Sequence, residues 1–130
     1  MIVVDSSALV AILEEEPEAE HFLSILQEAG RRVASAVTVY ETGIVLGRRR
    51  GWEIVAELNA LVDLLGIEIV PFSAAQIMAA LDAYSRYGKG VDPKARLNLG
   101  DCVAYALAKS MSAPLLFKGE DFASTDVQAA

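Results

Sequence analysis

Four short runs of β-branched and aliphatic residues punctuate this chain, and between them lie longer stretches whose apolar residues recur at helical spacing. The runs are Ile2-Val3-Val4, Val33-Ala34, Ile67-Glu68-Ile69-Val70 and Pro114 to Phe117. Each intervening stretch is much longer than the roughly a dozen residues that a parallel crossover needs. Strands separated in this way imply a mainly parallel sheet covered by helices on both faces, a three-layer α/β/α architecture. No repeat, low-complexity tract or linker interrupts the pattern, so residues 1–130 are expected to form one domain.

Punctuation residues set the helix boundaries. Asp5-Ser6-Ser7 reads as a strand running into a helix cap, with the helix continuing from Ala8 to Leu13. Pro17 suits the first turn of a second helix ending near Gly30. Val37, Tyr40, Ile44 and Val45 define a third from Ala36 to Arg50, broken by Gly51; a fourth spans about Trp52 to Leu65 and stops at Gly66. Ser73-Ala74-Ala75-Gln76 has the form of a capping box opening a helix to Tyr87. Gly88 to Asn98 is an exposed loop, Gly100 to Met111 an alanine-rich helix, and Gly119 to Asp126 a loop with one helical turn.

Hydrophobic residues make up 54% of the chain, which fits a packed core. Asp5, Glu14-Glu15-Glu16 and Arg48-Arg49-Arg50 interrupt every apolar segment, so neither a membrane span nor a secretory leader is expected. The single cysteine, Cys102, cannot form an internal disulfide and suits a reducing cytoplasm. A net charge of −7 runs against the basic footprint of a nucleic-acid binder. However, many acids sit in one block from Glu14 to Glu28, and others can be ligands whose charge a divalent cation offsets. The cations group as Arg31-Arg32, Arg48-Arg49-Arg50 and Lys89 to Arg96.

Open parallel sheets bind ligands beyond the carboxyl ends of their strands. Asp5 follows the first strand directly, Glu41 lies in the helix after the second, Asp101 opens the alanine-rich helix, and Asp121 follows the last strand. Four acids distant in sequence can therefore meet at one edge. Such a cluster needs protons or a cation, and magnesium or manganese, both hard ions, suits carboxylate oxygens. Each acid has a second reading. Asp5 can cap its helix, Glu41 can close a capping box with Thr38, Asp101 can answer the positive end of its helix, and Asp121 can be a solvated loop acid with Glu120 and Asp126 as substitutes.

Other chemistries lack parts. His21 is the only histidine, which excludes a two-histidine ribonuclease, and Ser6 lacks the glycines of a nucleophile elbow. Gly88-Lys89-Gly90 has neither the spacing nor the hydroxyl of a P-loop, and one cysteine with one histidine makes a poor zinc site. Arg48-Arg49-Arg50, Lys89, Lys94 and Arg96 can meet RNA phosphates or simply be solvated. Tyr84, Tyr87 and Tyr105 can stack bases or be structural, and Gly43, Gly47 and Gly51 suit either a core contact or a dimer seam.

The chain resembles PIN-domain ribonucleases, specifically the VapC-type toxins of bacterial toxin–antitoxin pairs. The likeness runs almost end to end: Met1 to Ala8, Ser35 to Glu41, Leu97-Asn98-Leu99-Gly100-Asp101-Cys102, Tyr105 to Lys109, and Leu115 to Phe122. The Leu-Asn-Leu-Gly-Asp-Cys segment is the most specific. The resemblance implies a magnesium-dependent endoribonuclease with catalytic Asp5, Glu41, Asp101 and Asp121, of which Asp5 and Asp101 are the principal metal ligands. It also implies RNA as substrate, a cognate VapB-type antitoxin and a homodimer, with Ser7 or Ser6 supporting the acidic cluster. Asp126 stays open as an alternative to Asp121, and any last edge strand is expected to be short. Two rival classes are a phosphatase or phospho-acceptor with Asp5 as nucleophile, and a non-catalytic domain whose acids bind a basic partner. The first usually carries a second Asp two residues on, where this chain has Ser7.

Overall fold

The computed structural model describes all 130 residues. Strands β1 (Ile2–Val4), β2 (Arg32–Ser35), β3 (Ile67–Val70) and β4 (Leu115–Leu116) form one sheet in the order β3-β2-β1-β4. Every pairing is parallel, with Val3 opposite both Val33 and Leu115, and Ser35 opposite Val70. The helices are α1 (Ser6–Leu13), α2 (Ala19–Glu28), α3 (Ala36–Arg50), α4 (Ile54–Leu64), α5 (Ala74–Tyr87) and α6 (Leu99–Ser110), followed by a 3-10 turn at Asp121–Ser124.

Strand alternation divides the core into two layers, because successive side chains leave a sheet on opposite faces. Val3, Val33 and Leu115 point to one face, under Ala80 and Ala83 of α5 and Ala104 and Leu107 of α6. Ile2, Val4, Ala34 and Leu116 point to the other, against Leu9, Leu26 and Leu58. Helix α6 is the most enclosed element, buried from Cys102 to Ala108, and its alanines allow it to lie close to the sheet. The expected three-layer α/β/α fold is therefore present. No helix is long and apolar enough to cross a membrane.

Several boundaries differ from expectation for local reasons. Asp5 caps α1, so that helix starts at Ser6 rather than Ala8. Pro17 lies in the turn before α2, and α4 starts at Ile54 rather than Trp52. Ser73 Oγ accepts from the Gln76 N–H, but the Gln76 amide donates to Ser110 Oγ at 2.9 Å, so that box stays half closed. Ser35 caps α3 by accepting from the Val37 N–H at 3.2 Å; Thr38 lies inside the helix, which removes the capping-box reading of Glu41. Gly47 leaves room for the Trp52 ring, which a β-carbon there would meet at 2.1 Å, so this glycine serves packing within the chain. The last edge pairing is short: Ala129 makes one parallel bridge to Leu115.

Candidate active site

In the order β3-β2-β1-β4 the chain reverses its direction of travel across the sheet between β1 and β4, and at such a point connections diverge to leave a crevice. Asp5 sits at the carboxyl end of β1 beside this crevice, its backbone N–H donating to the Leu116 carbonyl at 3.0 Å. Its side chain is buried, with only 2% exposure. Oδ2 accepts from the Ser7 N–H at 3.1 Å and from Ser7 Oγ at 2.6 Å, while Oδ1 is buried without any partner. The capping reading of Asp5 is thus fulfilled by one oxygen and leaves the other free.

Ser7, not Ser6, supports this carboxylate. Its hydroxyl donates to Asp5 and accepts from the Lys118 N–H at 2.9 Å, tying the start of α1 to the segment after β4. Burial is the main cause that pushes Asp5 up to about 6; the Ser7 bonds oppose it, and the charge of Glu41 adds to it.

Asp101 enters from α6. Asn98 caps this helix, its side chain accepting from the Asp101 N–H at 2.8 Å, and Asp101 Oδ2 accepts in return from the Asn98 N–H at 3.0 Å. The pair is a closed capping box, so Asp101 is both structural and available through its second oxygen. Its carboxyl is pushed up to about 7, chiefly by burial, with the Asn98 bond opposing and Asp5, Asp121 and Glu41 adding repulsion.

Glu41 lies half-buried on α3 with its carboxylate against the backbone of Gly100. A β-carbon at Gly100 would stand 2.2 Å from Glu41 Oε2, so any other residue there would push the Glu41 carboxylate aside. Asp121 opens the 3-10 turn, exposed, and acts electrostatically on Asp101. Asp126, its alternative, is committed elsewhere. It bonds the Tyr105 hydroxyl and pairs with Lys109 at 3.2 Å, which holds it below the usual carboxylate range.

The structure thus brings Asp5, Glu41, Asp101 and Asp121 into one electrostatic field. No three of them stand together as a ready-made metal site, short of the convergence the sequence suggested, and like charges held that close would repel. The donor set is oxygen only, and the orphaned Asp5 Oδ1 is the kind of buried acceptor that a hard cation satisfies. An oxygen-only donor set of this kind is one that magnesium or manganese suits.

Some contributors escape sequence reading. Gly100 has a visible signal in its place beside Asp101 but no visible partner. The Asn98 box carries a local signal in the spacing Asn-x-x-Asp. The tyrosines are structural: Tyr105 is buried and meets Tyr87 edge-on at 5.6 Å, and the Tyr84 hydroxyl donates to the Lys89 carbonyl. His21 is exposed on α2 beside Phe22.

The family model for the PIN domain matches residues 2–128. VapC ribonuclease Mb0640 of Mycobacterium bovis is 43% identical over 97% of this chain and 95% of its own length. A VapC ribonuclease of Mycolicibacterium smegmatis is 45% identical over 98% of both chains. In three dimensions the chain is similar to VapC20 of Mycobacterium tuberculosis, a sarcin-ricin loop cleaving toxin. That match has a TM-score of 0.82 at 14% identity and covers 100% of this chain and 98% of the other. It is also similar to a chain of a toxin–antitoxin complex from Klebsiella pneumoniae, with a TM-score of 0.73 at 16% identity, over 100% and 97% of the two chains.

Proposed function

The chain belongs to the PIN-domain family, among the VapC ribonucleases, and from that premise we propose that it is a divalent-metal-dependent endoribonuclease, the toxin of a toxin–antitoxin pair. The observation that carries the metal-dependent reading is the buried, unpartnered Asp5 Oδ1 in a field shared with Asp101 and Glu41.

Asp5 and Asp101 are the residues that would hold magnesium or manganese. A cation there supplies charge stabilisation at a phosphate oxygen and lowers the pKa of a water. Ser7 fixes the Asp5 carboxylate through Oδ2 and so keeps Oδ1 oriented. The Asn98 box does the same for Asp101. Glu41, wedged over Gly100, accepts the proton that the attacking water loses as its oxygen bonds to phosphorus and the bond to the leaving oxygen breaks. Asp121, exposed at the start of the 3-10 turn, would help orient the water.

The rival classes fit less well. A phosphatase needs a proton donor two residues after Asp5, and the Ser7 hydroxyl is already donating to Asp5 itself. The lysine such enzymes would want, Lys118, is paired with Glu16 at 3.1 Å and Glu18 at 2.9 Å. A non-catalytic binding face requires exposed acids, and Asp5 is buried.

Two protein partners belong to the same proposal: a cognate antitoxin and a second copy of this chain. Supporting them is the exposed apolar surface around α3, α5 and the start of α6, where Tyr40, Trp52, Met78, Leu81 and Leu99 are each more than half exposed. The free buried thiol of Cys102 accords with a reducing cytoplasm.

The test is cleavage of structured RNA by the purified chain and an Asp101→Asn variant, with magnesium, with manganese and with EDTA. Asparagine preserves the capping acceptor, so the fold should persist. Metal-dependent cutting that the variant loses is the expected result; cutting that survives in EDTA or in the variant would sink the proposal.

A further inference from the structure

A chain of net charge −7 that acts on RNA must hold phosphates with the few cations not already engaged by acids. Of its eleven Lys and Arg residues, six are paired with carboxylates. Arg49 and Arg50 both pair with Glu14, which removes most of the basic run at the end of α3. Arg32 donates instead to the Leu26 and Gln27 carbonyls. Four cations are left. Arg48 is one, seven residues beyond Glu41 and so about 10 Å further along α3, away from the Asp5 end. The other three, Lys89, Lys94 and Arg96, all lie on the loop joining α5 to α6, and all are exposed.

That loop is a built platform. The Lys89 N–H donates to the Leu97 carbonyl at 2.8 Å and the Leu97 N–H to the Tyr87 carbonyl at 2.9 Å, closing its base. Ala95 and Leu97 are fully buried, so the chain is anchored on both sides of Arg96. Arg96 itself has φ +55°, in the left-handed region where glycine is the unstrained residue. Lys89, Asp92 and Arg96 line one hollow of about 390 Å³. Asp92 is the only acid within it, and its Oδ1 accepts from the Lys94 N–H at 2.8 Å. The loop then runs straight into Asn98, which is bonded to Asp101; at most about 8 Å of chain separates Arg96 from Asn98. Phosphates recur every few ångströms along a strand.

We propose that Lys89, Lys94 and Arg96 form a phosphate clamp that grips the RNA strand within a few nucleotides of the phosphate presented to Asp5 and Asp101. This rests on the ribonuclease reading and assigns the substrate-positioning surface of that site. These are positioning residues, and the charge of Arg96 stands at a position whose left-handed backbone would suit glycine better.

The experiment is fluorescence anisotropy of a labelled single-stranded oligoribonucleotide in EDTA, between about 50 and 200 mM salt. The chain is compared with the triple variant Lys89→Gln, Lys94→Gln, Arg96→Gln. Each phosphate-bound cation removed should flatten the slope of log affinity against log salt by about 0.7, hence by about two for the triple, with binding on the order of a hundredfold weaker near 0.1 M salt. Arg31→Gln, which removes a cation already paired with Glu68, should leave the slope unchanged. Two single variants guard against misfolding. Lys94→Gln should reduce the slope by about 0.7. Arg96→Gly should bind more weakly while melting no lower than the parent, which a structural role for Arg96 would not allow. A folded triple variant with the parent's slope and affinity overturns the clamp and leaves the ribonuclease reading intact. A parent that binds no RNA in EDTA also overturns the clamp, and cleavage with magnesium then decides the ribonuclease reading separately.

Discussion

Replacing Asp5 by Asn should make the metal-free protein less sensitive to rising pH, and the size of that change follows from the burial of this carboxylate. Folding lifts Asp5 from the ordinary aspartate value near 4 to about 6, chiefly through burial. The folded state therefore binds the proton more tightly than the unfolded chain, and stability falls as pH rises from about 4 to about 6. At 1.36 kcal/mol per unit, ionised Asp5 costs the folded state about 3 kcal/mol once pH exceeds 6. Asp101, lifted to about 7, acts in the same direction with its loss extending to slightly higher pH; its partial exposure weakens its share. Asp126, held low by Tyr105 and Lys109, changes stability only below the ordinary aspartate value, outside this window. Urea unfolding in EDTA at pH 5 and pH 8 measures the difference. With a slope of roughly 1–3 kcal/mol per molar urea, the parent midpoint should drop by more than about 1 M between the two pH values. Asp5→Asn, which keeps an acceptor for Ser7 and carries no charge, should lose a clear part of that drop, the remainder being the share of Asp101. A parent equally stable at both pH values, or a variant with an unchanged dependence, would refute the claim that Asp5 is a buried ionisable group.

Other substitutions separate the site's parts. Gly100→Ala should melt at or above the parent, because alanine is favoured in a helix by about 1 kcal/mol and the group it displaces is a flexible side-chain end. Its RNA cleavage should fall at least about tenfold as Glu41 is pushed aside, and unchanged cleavage would argue against Glu41. Ser7→Ala removes a bond to the buried Asp5 and leaves the Lys118 N–H without its acceptor, so urea unfolding at pH 8 should show a loss of about 2 kcal/mol. Asp121→Asn should lower cleavage while leaving melting alone; Asp126→Asn should do the reverse, since Asp126 serves Tyr105 and Lys109. Cleavage assays and thermal melts of the two variants side by side decide between them.

The sequence carries what repeats locally and conceals what depends on partners far along the chain. Strand β1 and its terminal Asp5 are legible because three apolar residues run straight into a capping acid, and α3 is legible from end to end because Ala36 to Arg50 keeps one period. The cap of α3 is ambiguous in the sequence since Ser35 and Thr38 are both good caps, and only the strand register, with Ser35 opposite Val70, fixes which one stands at the helix start. The basic run Arg48-Arg49-Arg50 reads as one patch, yet Glu14, far away in sequence, takes two of its members. Gly100 is invisible as a cradle because its constraint comes from Glu41, across a helix interface. The choice of Asp121 over Asp126 likewise turns on Tyr105 and Lys109, whose side chains meet Asp126 only in the folded chain.

Calorimetric titration of the folded chain with manganese bears most directly on the claim that these separated acids share one cation. The parent should bind manganese at a defined stoichiometry and release protons below about pH 7, where Asp5 and Asp101 still hold them. Asp5→Asn and Asp101→Asn should each weaken that binding at least about tenfold, while Asp126→Asn leaves it unchanged. Manganese binding of equal strength in all four proteins, or none in the parent, would contradict the account.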